Sequence, residues 1–225
     1  MSGEMRSWAG RLLMVAALAG LVGPAVAETM LWNNPAGGSW HAATNWDPEN
    51  VPNAGGEEAV IPDSGYACAI DLGANTSLDR VTILNPDATV NLADHDFSFY
   101  QPEGLTNHGT VSINPGSSQI TGNINNQAGG VFQLLDGTVF YPANCMWHND
   151  GRIIVNPQLD PAGGVILFYN GQELNGSGEL ILQTDGIGSA ANIETYYTTE
   201  EERYTGRWST TGPCGPIARA SRSTS

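Results

Sequence analysis

The chain of 225 residues contains no lysine. Its basic side chains are eight arginines, set against 23 aspartates and glutamates, and the formal net charge is −15. Between Glu28 and Thr195, Arg80 and Arg152 alone stand against 19 acidic residues. Such a surface repels phosphate backbones, so nucleic acid is excluded as a partner. Cysteine is scarce as well. Cys68, Cys145 and Cys214 allow one bridge with one thiol left over, which excludes a disulfide framework. Cys68 and Cys145 do not share a phase of the repeat described below, so a stacked bridge is not implied. Glycine-rich phosphate loops, nucleophile elbows, zinc-type His/Cys spacings and glycine-aspartate calcium nonapeptides are all missing. No cofactor and no metal are expected. Beyond the leader no segment shows a helical period, and the one long apolar run, Leu12 to Val22, is too short to favour a membrane span.

What the sequence does have is self-similarity. Ala88-Thr89-Val90-Asn91-Leu92 returns as Gly109-Thr110-Val111-Ser112-Ile113, then as Gly130-Val131-Phe132-Gln133-Leu134, then as Gly151-Arg152-Ile153-Ile154-Val155. The blocks open at positions 88, 109, 130 and 151, a constant step of 21. A further copy, Gly178-Glu179-Leu180-Ile181-Leu182, follows after a longer step of 27. Within each block the second and fourth residues after the leading Gly or Ala are apolar, and most of their neighbours are polar. Period-two alternation marks a strand with one apolar and one wet face. At about 3.3 Å per residue, one regular step traces roughly 70 Å of extended chain. That fits one coil of two or three short strands and falls short of a βαβ unit, which needs about 30 residues or more.

A less regular second strand maps Phe97/Phe99 onto Ser118/Ile120 and Val139/Tyr141, with Val165–Tyr169 taking its place in the longer coil. Asn85-Pro86-Asp87, Asn114-Pro115-Gly116, Asn125-Asn126-Gln127, Asn156-Pro157 and Asn175-Gly176 mark corners. The fold class is therefore all-β: a single-stranded parallel β-solenoid (β-helix) of about five coils. A single coil cannot hide its own apolar face, so stacking is obligatory. An ordinary β-sandwich is the competing reading.

The ends differ in character. Residues 1–27 read as a secretory signal peptide, with Arg6 and Arg11, the apolar run, and Ala25-Val26-Ala27 before Glu28. Residues 28–62 form a Trp-rich cap, 63–185 the solenoid repeats, and 186–225 an irregular tail without alternation. A chain truncated or frame-shifted near Glu200 is one reading of that tail. The mature chain is expected to be secreted or held at a bacterial cell surface, with no transmembrane anchor.

Trp32, Trp40 and Trp46 are three of the six tryptophans. As a cap they cover the open end of the first coil. As a platform they stack on pyranose faces. The pattern Trp32-(x)7-Trp40-(x)5-Trp46, followed by Pro52, Ala59-Val60-Ile61-Pro62 and Ala69-Ile70-Asp71, resembles the opening of large secreted bacterial proteins with autotransporter-like or haemagglutinin-like β-helical repeats. Leu78–Ile83 and Leu174–Leu180 are similar to blocks within those repeats. The resemblance spans roughly residues 30–185 and implies a β-helix at the cell surface. It departs in showing no C-terminal barrel, wall anchor or sorting helix.

Asp94-His95-Asp96 is the densest titratable cluster. It reads either as a metal or acid/base site, with Asp94 and Asp96 on one strand face, or as a solvated corner. His108 shares a phase with Asp87 and Asp150. The functional expectation is a non-enzymatic structural or adhesin-like protein with a surface or matrix polysaccharide as partner. A carbohydrate-binding module built on Trp32, Trp40 and Trp46 is the second reading, and a polysaccharide-degrading β-helix or its remnant the third. Oligomeric state is left open.

Overall fold

A computed structural model describes residues 27–113, 116–135, 139–143, 146–155, 165–169, 173–183, 192–196 and 207–211. Residues 1–26 lie outside these, as do Cys145 and Cys214. The first strands are β1 (Glu28–Trp32), β2 (Gly38–Ser39), β3 (Trp46–Asp47), β4 (Glu57–Ile61), β5 (Cys68–Asp71), β6 (Thr76–Ile83) and β7 (Ala88–Asn91). There follow β8 (Phe97–Asn107), β9 (Thr110–Ile113), β10 (Ser117–Thr121), β11 (Ile124–Asn126), β12 (Val131–Leu134), β13 (Val139–Ala143) and β14 (Met146–Asn149). The last are β15 (Arg152–Val155), β16 (Val165–Tyr169), β17 (Glu173–Asn175), β18 (Glu179–Gln183), β19 (Asn192–Tyr196) and β20 (Arg207–Thr211). One short 3₁₀ turn, Ala43–Asn45, interrupts them.

The strands wind into a parallel β-solenoid in which the copies read from the sequence are successive coils. An eight-stranded sheet runs β2-β5-β7-β9-β12-β15-β18-β20. A twelve-stranded sheet runs β19-β16-β13-β10-β8-β6-β4-β1-β3, and β11, β14 and β17 stack onto β8 beside that path. Later coils thus carry three strands each. Every described pairing is parallel except β1 with β3. That antiparallel pair lies at the N-terminal edge, where it turns the chain back over the first coil.

The repeat register is the one the sequence predicts. Thr89 lies opposite Thr110, Thr110 opposite Val131, and Val131 opposite Arg152. Arg152 then pairs with Glu179 across the longer step. As a result Ile70, Val90, Val111, Phe132, Ile153 and Leu180 form one inward file, all buried. Burying each such side chain contributes about 1.5–3 kcal/mol. A parallel file, Met30-Ala59-Val81-Leu105-Ile124-Trp147-Leu174, lines the larger sheet and is equally buried.

The second-strand register differs from the sequence expectation. Phe97 lies opposite Ile120 rather than Ser118, and Ser118 opposite Phe140 rather than Val139. An even shift keeps the same side chains inward, whereas an odd one exchanges the two faces. The single-residue shift at β13 turns Phe140 inward, where it is fully buried.

Two features position the corners. Asn107, Asn126 and Asn149 occupy one inward file above Ile61 and Ile83, and all are buried. Asn107 Nδ2 donates to Asn126 Oδ1 at 2.8 Å, and Asn126 Nδ2 donates to Asn149 Oδ1 at 2.7 Å. Each amide also reaches carbonyls of its own and the next coil, such as Gly109 O and Val131 O from Asn107. Buried amides this fully used tie one coil to the next. The glycines that open the blocks after the first approach this corner closely. A Cβ on Gly109 would lie 2.6 Å from Asn85 O, and one on Gly130 would lie 2.5 Å from Asn107 O. Backbones approach too closely there for any side chain.

β1 and β4 already stack in the larger sheet within 28–62. At the other end, β19 and β20 pair with β16 and β18, within the stretch whose sequence lacks alternation.

Candidate functional site

The three tryptophans fold together rather than outward. Ring centroids lie 5.0 Å apart for Trp32 and Trp46 and 4.7 Å for Trp40 and Trp46, both edge-to-face. Trp40 also meets Phe97 at 5.3 Å. Exposure is 6 % for Trp32, 0 % for Trp40 and 1 % for Trp46, as a cap requires. Rings so buried close the end of the core and offer no open face to a pyranose. Their indole N–H groups are also used, donating to Asn34 O, Pro52 O and Trp40 O. Asn34 and Asn45 hold the overlying loop, Asn34 Nδ2 donating to Gly37 O at 2.6 Å and to Asn45 Oδ1 at 3.0 Å.

Asp94, His95 and Asp96 lie in the corner between β7 and β8, not on a strand face. Ala93, immediately before them, has φ of +50°, the left-handed geometry of a tight turn. The carboxylates serve the next coil. Asp94 Oδ1 accepts from the Ser117 amide at 3.1 Å, and Asp96 Oδ1 from the Gln119 amide at 2.7 Å. Among the described residues no group of three His, Cys, Asp or Glu side chains is arranged to hold a metal ion.

His108 and Asp150 do share a corner file, but two rungs apart, roughly 10 Å at the usual interstrand spacing. Asp150 has nearer partners that the sequence did not indicate. His148 Nε2 lies 2.9 Å from Asp150 Oδ2, and His148 Nδ1 lies 2.7 Å from Asn175 Oδ1. Asp150 Oδ1 accepts from the Ser177 amide at 2.9 Å and from Ser177 Oγ at 2.8 Å. The Ser177 amide, its hydroxyl and His148 hold the Asp150 carboxyl down to about 2. Asn175 first, then Asp150, raise His148 above its ordinary value. The signal that finds this group is a step of 27, from His148 to Asn175 and from Asp150 to Ser177, which matches the longer coil.

Elsewhere the described surface carries polar files beside exposed apolar side chains such as Tyr66, Tyr100 and Met146. Thr82, Thr106, Asn125, His148 and Asn175 form one outward file on successive coils. On the smaller sheet Asn91 Nδ2 donates to Asp71 Oδ1 at 2.8 Å, and Gln133 Nε2 to Ser112 Oγ at 3.2 Å. The sole ion pair with an arginine among the described residues joins Arg80 to Glu58 across two coils. Cys68 is buried in the core with a free thiol, and burial pushes its pKa up. No described helix is long and apolar enough to cross a membrane.

These features define a parallel β-solenoid with a Trp-rich N-terminal cap, whose titratable corner residues bind the backbone of neighbouring coils. No family model matches the chain, and no curated protein or solved structure matches it either.

Proposed function

We propose that the protein is an exported, non-enzymatic β-solenoid that acts as a structural or adhesin-like element at the cell surface or in the extracellular matrix. The observation that carries this reading is the unbroken stack. Seven steps along the smaller sheet, at about 4.8 Å each, extend it over roughly 34 Å. Continuous backbone ladders and a single aliphatic core make such a stack stiff. The outward file Thr82-Thr106-Asn125-His148-Asn175 repeats hydroxyl, amide and imidazole groups along that length. A polyhydroxyl polymer such as a surface or matrix polysaccharide is a chemically suited partner, since side-chain amides and hydroxyls exchange hydrogen bonds with sugar hydroxyls. The net negative charge favours a neutral polymer over an acidic one.

One further observation supports a non-enzymatic role. The carboxylates that most resembled a catalytic pair, Asp94 and Asp96, accept backbone amides of the next coil. The leader pattern and the likeness to secreted β-helical surface proteins agree with export. The test is expression of the full chain in a bacterium, followed by fractionation and N-terminal sequencing. Extracellular or surface material beginning at Glu28 is expected. Cytoplasmic retention with residues 1–27 attached overturns the export part. Immobilised mature protein is then offered neutral and acidic polysaccharides. Polymer cleavage overturns the non-enzymatic part.

A further inference from the structure

We propose that His148, Asp150, Asn175 and Ser177 form an acid-tightened clip that fastens the coil of β17 and β18 to the coil of β14 and β15. The four residues come from two successive coils and meet at one corner. His148 lies in the outward file on β14, and Asn175 is directly opposite it in register on β17. Asp150 and Ser177 stand two positions further along their respective coils. Three of the four contacts cross the coil boundary: His148 to Asn175, and both Ser177 donors to Asp150. The fourth, His148 to Asp150, locks the imidazole and the carboxylate together within one coil.

The chemistry of the ring makes the clip sensitive to acid. Both ring nitrogens face oxygen atoms, Nδ1 toward Asn175 Oδ1 and Nε2 toward Asp150 Oδ2. A neutral imidazole carries one N–H and can satisfy one of those acceptors, whereas the imidazolium carries two and satisfies both. The complete clip is therefore the protonated one. On loss of the proton, either the cross-coil bond to Asn175 or the bond to Asp150 loses its donor. The Asp150 bonds to Ser177 remain.

The residues that face His148 in register are uncharged, Asn125 on β11 on one side and Asn175 on the other. Glu173 stands two positions before Asn175 in β17, opposite Met146. Arg152 and Glu179 face each other in register on the adjoining smaller sheet. Asp150 is the one carboxylate bonded to the ring among the described residues. His148 to Arg152 and Asn175 to Glu179 each span four positions, so the corner is of equal length in the two coils it joins.

The experiment uses the full mature chain. Imidazole resonances are followed by NMR as a function of pH, and amide exchange of β17 and β18 is expressed as protection factors at pH 5.5 and pH 8. His148 is expected to titrate above the ordinary histidine value of about 6.5. Protection of β17 and β18 is expected to fall roughly two- to fivefold from pH 5.5 to pH 8, the scale of an exposed charge-assisted pair. His148→Gln removes that pH difference, and the remote His108→Gln leaves it in place. Asp150→Asn brings the His148 titration down. A His148 that titrates at or below 6.5 overturns the proposal, because Asn175 would then be donating to a neutral ring. A pH difference that survives His148→Gln overturns it as well.

Discussion

Two files of side chains run side by side through this solenoid, and they are built on opposite principles. Val90, Val111, Phe132 and Ile153 stack through apolar contact, with no directional bond between their side chains. Asn107, Asn126 and Asn149 stack through hydrogen bonds of 2.7–2.8 Å, and each amide is also engaged with backbone carbonyls. The aliphatic file supplies the driving force, because burial of apolar surface is non-directional and large in sum. The amide file supplies position, because a buried donor left without its acceptor costs more than the bond yields when made. The corner at the end of the larger sheet therefore tolerates one register, and the strand after it starts at a fixed place.

The largest predicted effects come from emptying the apolar side of that comparison. Phe132 is fully buried and meets Trp147 at 5.0 Å and Phe140 at 5.7 Å. Phe132→Ala is expected to destabilise by about 3–5 kcal/mol, read as a shift in the urea midpoint. Trp40→Ala is expected to cost a similar amount, since it removes a buried ring and its hydrogen bond to Pro52 O. A Trp40→Ala protein that keeps its midpoint would show that the cap reading of these tryptophans is wrong.

On the amide side the effect is smaller but sharper in contrast. Asn126→Ala removes one acceptor of the Asn107 amide and the donor to Asn149 Oδ1, and is expected to cost about 1–3 kcal/mol. Its neighbour Asn125 has the same chemistry but points outward, opposite Thr106 and His148. Asn125→Ala is expected to stay within about 0.5 kcal/mol. Equal losses at the two positions would mean that the buried file contributes no more than a surface amide.

The same contrast explains what the sequence discloses. The aliphatic file is legible because its strands repeat at one constant step without a gap, from Val90 to Val111, Phe132 and Ile153, and period-two alternation marks the inward side chains. The amide file is hidden because its intervals are 19 and 23, which together make two regular steps. One corner is short by two and the next is long by two. Asn126 is visible as a corner residue, but nothing in its spacing ties it to Asn107 and Asn149. The tryptophans are visible as a cluster, but their inward direction depends on the fold-back of β3 onto β1, a long-range pairing. The His148 and Asp150 group emerges only when the longer step to the fifth copy is applied to its corner, which carries Asn175 and Ser177. Local alternation fixes which face is buried. Loop length decides which corner side chains meet, and a sequence shows loop length without showing its path.

The smallest predicted effect lies at that last corner, and its sign follows from two opposite shifts. His148 is raised in the folded chain by Asn175 and Asp150. Its contribution is therefore complete below the unfolded value of 6.5 and is lost as pH rises through the higher folded value. Asp150 is lowered, so its contribution is complete above 3.8 and is lost as pH falls toward about 2. The clip is whole between those limits, from about pH 4 to about pH 6.5. Both groups are solvent-accessible, and screening keeps the effect on global stability slight. The midpoint of the wild-type chain should fall a little from pH 6 to pH 8, while that of His148→Gln stays flat across the same interval. Raising salt should shrink the wild-type slope, because an exposed ion pair is screened within about 10 Å at 0.1 M ionic strength. The cost of Phe132→Ala should be the same at either salt. A wild-type slope untouched by salt would place the pH dependence in some buried group and remove the exposed corner from the account.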